Sequence, residues 1–189
     1  MAAGLRAQPL VRRADVFRGF LRPPGSGTPY VGQVVPALLP DVVLLVETTT
    51  AEAAQRMLRH RAVVSVVAEE PTAHAFAATD VRRIGPVDHD RQGVFLFNYF
   101  AGDGVETTLD AWQYTAGWFQ RETGLDNSTV LAPLSPEMGE HTLVNHCRWD
   151  HPLDVVPSLM LKRSFRSYVL DTFARNRVSP RPLLYRLDR

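Results

Sequence analysis

His141, His146 and His151 recur every five residues, with Cys147, the only cysteine of the chain, among them. Such a cluster could hold a metal or present a thiolate. A strand, however, puts His141 and His146 on opposite faces, which spoils a shared tetrahedral site, so no metal is expected. No general base for Cys147 is visible, so its thiol reads as a small buried hydrophobe. Two asparagines stand out for a different reason. Asn98 is the only polar residue in the aromatic run Val94 to Phe100, and Asn145 lies in the mostly apolar run Thr142 to Trp149. On such strands an amide either satisfies backbone groups at a sheet edge or faces something that needs hydrogen bonds. Arg166 shares a basic run with Lys162 and Arg163, a pattern that also fits a solvated helix face. No phosphate-cradling glycine loop, dinucleotide fingerprint or Gly-x-Ser-x-Gly elbow is present, which argues against nucleotide-dependent transfer and serine hydrolysis.

The 189 residues carry 21 basic and 20 acidic side chains and are 45% hydrophobic, a balance that gives no reason to invoke nucleic acid or an anionic membrane. A neutral or weakly charged partner suits it better. The longest apolar stretch, Val34 to Val46, is interrupted by Pro36, Pro40 and Asp41 and falls short of the ~20 apolar residues that span a bilayer. The N-terminus shows no secretory signal, and a lone cysteine excludes an internal disulfide, so a reducing cytoplasm is expected.

Elements must place these side chains. Residues Met1 to Asp41, rich in Pro, Gly and Arg with a loop at Pro23, Pro24, Gly25, Ser26, Gly27 and Pro29, predict little regular structure. Val42 to Thr49 predicts a strand, Thr50 the cap of a helix over Ala51 to Arg61, and Ala62 to Ala68 and Thr79 to Ile84 two short strands. Gly85 to Gly93 reads as a linker, which divides the chain into an N-terminal α/β half, residues 1–90, and a clearer second half, 91–189.

In that second half Val94 to Phe100 is a strand. Val105, Leu109, Trp112, Ala116 and Phe119 share one helical stripe closed by Gly124, and so read as core. Tyr114 and Trp118 lie one turn apart on another face. Ser128 to Leu134 and Thr142 to Trp149 are strands around a Pro/Gly turn, a second helix carries Phe165, Val169 and Phe173, and Arg181 to Leu187 is a last strand. Strand, helix, strand, strand, helix, strand is the order of an α+β, ferredoxin-like fold. The sheet face away from its helices needs cover, from a second copy of the domain or from the first half as another ferredoxin-like unit, although no sequence repeat is evident.

Leu143 to Asp150, Leu-Val-Asn-His-Cys-Arg-Trp-Asp, resembles the third-strand signature of the antibiotic-biosynthesis monooxygenases: an asparagine, three residues, a tryptophan. Phe95 to Phe100 is similar to that family's first strand, and Trp118 to Ser128 to its helix end, small-residue turn and second strand. The resemblance covers residues 94–187, about half the chain. It implies a ferredoxin-like domain of the dimeric α/β barrel type, a second copy of the chain as homodimer partner, and oxidation of polycyclic aromatic polyketides by O2 without a metal.

By the same resemblance Asn145, Trp149 and Arg166 are the expected catalytic residues. A phenol or hydroquinone must become an electron-rich anion before it passes an electron to dioxygen. Amide or guanidinium donors in a dry pocket stabilise that anion, and loss of one such donor costs about 3–4 kcal/mol in the transition state. Trp149 points to the same strand face as Asn145 and offers its ring face or its N–H. Asn98, Trp118, His146 and Tyr168 are the expected substrate-binding residues. The family's tyrosine near the start of the second helix is missing, since Leu153 to Val156 and Pro157 stand there. His146, on the opposite face from Asn145, and Tyr168 are candidates for the proton route. One subgroup of the family cleaves a ring of angucycline polyketides with reduced flavin or a pre-reduced hydroquinone, so flavin is expected at most as a diffusible reductant. Two other readings use the same scaffold: a non-redox polyketide cyclase, and a non-catalytic partner subunit whose pocket is filled by Phe97, Tyr99 and Trp118.

Overall fold

The computed structural model describes residues 2–25, 39–135 and 141–188. It is an α+β structure. In chain order the elements are α1 (Ala2–Arg6), β1 (Val11–Leu21), β2 (Val42–Thr48), α2 (Ala51–Met57), α3 (Arg61–Glu69), β3 (Ala78–Gly85), β4 (Val94–Ala101), α4 (Val105–Thr123), β5 (Ser128–Pro133), β6 (Leu143–Trp149), α5 (Pro152–Leu161), a π-helical segment (Phe165–Leu170), α6 (Asp171–Arg175) and β7 (Ser179–Asp188). The seven strands form one antiparallel sheet in the order β2-β1-β7-β4-β6-β5-β3. The sheet curls, so that α2, which follows one edge strand, touches β3 on the other edge. No helix of the described residues is long and apolar enough to cross a membrane.

Local signals explain most of the elements. Thr50 caps α2 by accepting a hydrogen bond from Ala53 N at 3.1 Å. Gly124 ends α4 in the left-handed conformation, φ +66°, which a residue without Cβ adopts freely. The expected Pro/Gly turn between β5 and β6 falls on residues 136–140, and Ser26, Gly27 and Pro29 of the N-terminal loop fall on 26–38, all outside the described residues.

Two expectations need correction. Residues 1–41 contain β1, eleven residues long and hydrogen-bonded on both sides, to β2 and β7. Its arginines hide the strand pattern: Arg12 and Arg18 point outward to cross-strand carboxylates, Glu47 at 3.7 Å and Asp188 at 2.8 Å, while Ala14 and Phe17 are fully buried. The β-branched run Ala62 to Ala68 is helical, not a strand. His60 caps it through Nδ1, which accepts from Ala62 N at 3.3 Å. The first half shares its sheet with the second. Its strands join the same sheet, β1 and β2 at one edge and β3 at the other.

Alternation along the central strand β4 divides the interior into two cores. On the helix side Leu96 and Phe100 meet Trp112, Trp118, Trp149, Phe165, Val169 and Phe173, all buried. On the other side Phe95, Phe97 and Tyr99 meet Phe17, Tyr185 and Leu187. Phe17 stands edge-on to Phe95 and Phe97, at 5.0 and 5.2 Å between ring centres. The N-terminal strand is therefore part of the second core. Phe17→Ala is expected to cost about 3–5 kcal/mol in a single cooperative unfolding transition. A calorimetric or urea trace in which an N-terminal unit melts separately, leaving the rest at wild-type stability, would contradict this.

Candidate functional site

Asn98 and Asn145 are directly paired residues of β4 and β6, so both side chains rise from the same sheet face beneath the helices. Trp149 is four residues along β6 and shares that face. Two small cavities meet there, and Leu96, Asn98, Phe119, Trp149 and Phe173 border both. The inner one adds Trp112, Thr115, Leu125 and Asn145; the outer one runs under α5 and the π-helical segment to Gly25 and Leu170. Each has a volume of about 30 Å³, room for roughly two waters. Gly25, at φ +112°, closes the outer rim, where a Cβ would come within 2.8 Å of Phe165 Cζ.

The polar groups at this floor are oriented by neighbours. Ser128 Oγ, fully buried on β5, donates to Asn145 Oδ1 at 2.5 Å, and this directs the Asn145 amide hydrogens away from β5. Asn145 Nδ2 reaches only the Cys147 sulfur, at 4.0 Å. Asn98 Oδ1 is buried with no hydrogen-bond partner. Burial raises the Cys147 thiol far above its ordinary range, so it stays a neutral, unreactive wall. The Trp149 N–H is committed: Nε1 donates to Thr123 Oγ1 at 3.1 Å, and Thr123 in turn donates to Phe119 O at 2.6 Å. Of the two uses expected for this indole, only the ring face remains.

The other expected site residues lie elsewhere. Arg166 is exposed on the outer side of the π-helical segment, and its guanidinium meets Met160 O at 3.3 Å, away from both cavities. Trp118 is a core residue whose Nε1 donates to Ser164 Oγ at 3.0 Å. Tyr168 stacks on Tyr114 and donates to Tyr114 O at 3.0 Å, outside the cavities. Phe97 and Tyr99 belong to the opposite core and do not fill the space near Asn145. Trp112 and Phe119, read from spacing as core, are core and cavity wall at once. The supporting hydroxyls of Ser128 and Thr123 carry no sequence signature, because their role depends on cross-element contacts.

His146 occupies the opposite face, inside the curl. Its Nδ1 lies 3.2 Å from Leu96 O, and its Nε2 lies 2.8 Å from His89 Nε2. His89 Nδ1 lies 2.9 Å from Asp15 Oδ2, and Arg6 and Arg13 flank that carboxylate at 3.4 and 3.5 Å. This array ties β1 and the linker before β4 to β6. His141 packs on Tyr99 at the far end, and His151 sits at the N-cap of α5, so the three sequence-clustered histidines are dispersed. No group of three or more potential metal ligands occurs among the described residues.

Burial lowers His146 to about 3 and His141 to about 4, and His89 also falls, desolvation outweighing the hydrogen bond to the Asp15 carboxylate. The folded state thus binds fewer protons than the unfolded chain, whose histidines titrate near 6.5. Stability is fully present above that value and is lost as pH falls toward the folded values. Between pH 6.5 and 5 each of His146 and His141 is expected to cost about 2 kcal/mol, a window above most carboxylate titration. Urea unfolding at pH 7.5 and 5.0 checks it, and a His141→Gln variant with an undiminished pH dependence would contradict the assignment.

No family model, curated protein or solved structure matches the chain.

Proposed function

We propose that the chain is an oxygenase of aromatic polyketide biosynthesis, acting with O2 on a reduced, phenolic polycycle in the helix-side cavity. The supporting observation is the pair of neighbouring amides, Asn98 and Asn145, with unsatisfied hydrogen-bonding capacity at the floor of an otherwise apolar space. The strand order β7-β4-β6-β5, with α4 and then α5 to α6 as crossovers, supports a ferredoxin-like reading of the second half and hence the resemblance to the antibiotic-biosynthesis monooxygenases.

On this reading the Trp149 ring face packs against the substrate, and the Asn145 amide donates to the oxygen of its phenolate or enolate, stabilising the anion that gives up an electron to O2. For an anthrone the balance is simple. The ring CH2 becomes C=O with one oxygen atom of O2, and the other leaves as water with the two hydrogens. No described group at the cavity floor titrates near neutrality, so the substrate's own acidity supplies the anion. A tricyclic ring needs several times the present volume, so binding displaces the rim at Gly25, Phe165 and Leu170. Flavin enters the proposal only as a diffusible reductant of the substrate.

The test is oxygen uptake by purified protein with anthrone and angucycline hydroquinones, with and without a flavin-reducing system. Asn145→Ala is expected to lower the rate about 10²–10³-fold. Arg166→Ala is expected to leave it unchanged, because that side chain lies away from the cavity. The rate should rise with pH along the titration of each substrate's phenol. Absence of uptake by folded protein with every substrate would overturn the reading in favour of a non-redox cyclase or a partner subunit.

A further inference from the structure

Three buried side-chain N or O atoms among the described residues lack a hydrogen-bond partner: Asn98 Oδ1, His141 Nδ1 and Arg148 Nε. Of these residues only Asn98 borders the two cavities. An unpaired buried acceptor costs about 1–3 kcal/mol, and it is best explained by a partner that arrives from the cavity. That partner must be a donor, since Oδ1 only accepts.

Beside it the Asn145 amide offers the opposite polarity. Ser128 occupies its carbonyl oxygen, so what remains for a ligand is the NH2 group. Because the two residues are directly opposed on β4 and β6, with Cβ atoms about 4.5–5.5 Å apart, one edge of one flat molecule reaches both. Apolar rings make up the rest of the wall, Trp149, Phe119 and Phe173 among them.

We infer that Asn98 is a specificity-determining residue, which selects aromatic rings bearing a phenolic hydroxyl free of internal hydrogen bonding: the hydroxyl donates to Asn98 Oδ1 while its own oxygen accepts from Asn145 Nδ2. This rests on the cavity being the substrate site, as proposed above, but not on any reaction with oxygen. A ring that lacks the hydroxyl leaves Oδ1 unpaired, and sites built to pair a polar group reject analogues that cannot provide its partner.

Redox-inert probes separate the two ideas. Binding of 2-hydroxyanthraquinone, 2-methoxyanthraquinone and unsubstituted anthraquinone is followed by quenching of tryptophan fluorescence, Trp112 and Trp149 being cavity walls. The hydroxyl compound is expected to bind about tenfold or more tightly than either of the others. Asn98→Leu should bring the three within about twofold of one another, and Asn98→Asp, which keeps an acceptor in place, should restore the preference. Equal affinities in the wild-type protein, or a preference that survives Asn98→Leu, would overturn the inference, as would an Oδ1 that holds only a water. The expected preference without oxygen uptake from the reduced rings removes the oxygenase reading alone. Uptake with no hydroxyl preference removes this inference alone, and no binding of any probe removes both.

Discussion

Each residue of β4 serves one of two faces, and no residue of the strand is free to change sides. Hydrogen-bonded to β6 on one flank and β7 on the other, the strand sends Leu96, Asn98 and Phe100 beneath the helices and Phe95, Phe97 and Tyr99 into the curl of the sheet. A slip of one residue would exchange the sets, bury Asn98 among Phe17 and Tyr185, and put Phe97 where the cavity lies. The pairing of Asn98 with Asn145 follows from the same register. The amide pair is therefore a product of sheet geometry and not of a loop, which gives it a rigid base.

The second constraint is cover for the inner sheet face. Four antiparallel strands with helices on one side leave the other side apolar, and in this chain β1, β2 and the linker carrying His89 curl over it. Burial of Phe17 at the centre of that core, and the Asp15–His89–His146 array at its rim, bind the N-terminal segment to the sheet. This face is thus buried by residues of the chain itself. That cover also accounts for His146: a ring held between Leu96 O and His89 and pressed on Phe97 at 4.1 Å is part of a closed core, on the wrong side of the sheet to touch a ligand at Asn145.

Legibility from sequence followed the strength of the local signal. The strands and helices after Val94 were readable because strong periodicity, Gly124 and the aromatic runs all agree, and the shared face of Asn145 and Trp149 follows from a spacing of four on a strand. The strand β1 was not, because Arg12 and Arg18 find their carboxylates across strands. The helix α3 was not, because a short β-branched run suits either state and His60 as its cap has no fixed pattern. Arg166 was expected from the resemblance alone; it is exposed on the π-helical segment between Phe165 and Leu170, and no spacing pattern in the sequence relates it to either cavity. The commitment of the Trp149 N–H to Thr123 depends on a contact between β6 and the end of α4, which no single stretch of sequence encodes.

The central claim is that Asn98 and Asn145 together contact a planar aromatic ligand on the helix side of the sheet. The most direct measurement is NMR of the side-chain NH2 groups of ¹⁵N-labelled protein, assigned with Asn98→Leu and Asn145→Ala, during titration with a redox-inert hydroxyquinone. Saturable shifts of both amide pairs, with the His89 and His146 ring signals unmoved, are the result predicted. Shifts confined to the histidine side, or side-chain amides of Asn98 and Asn145 that stay in place while the ligand binds, would contradict it.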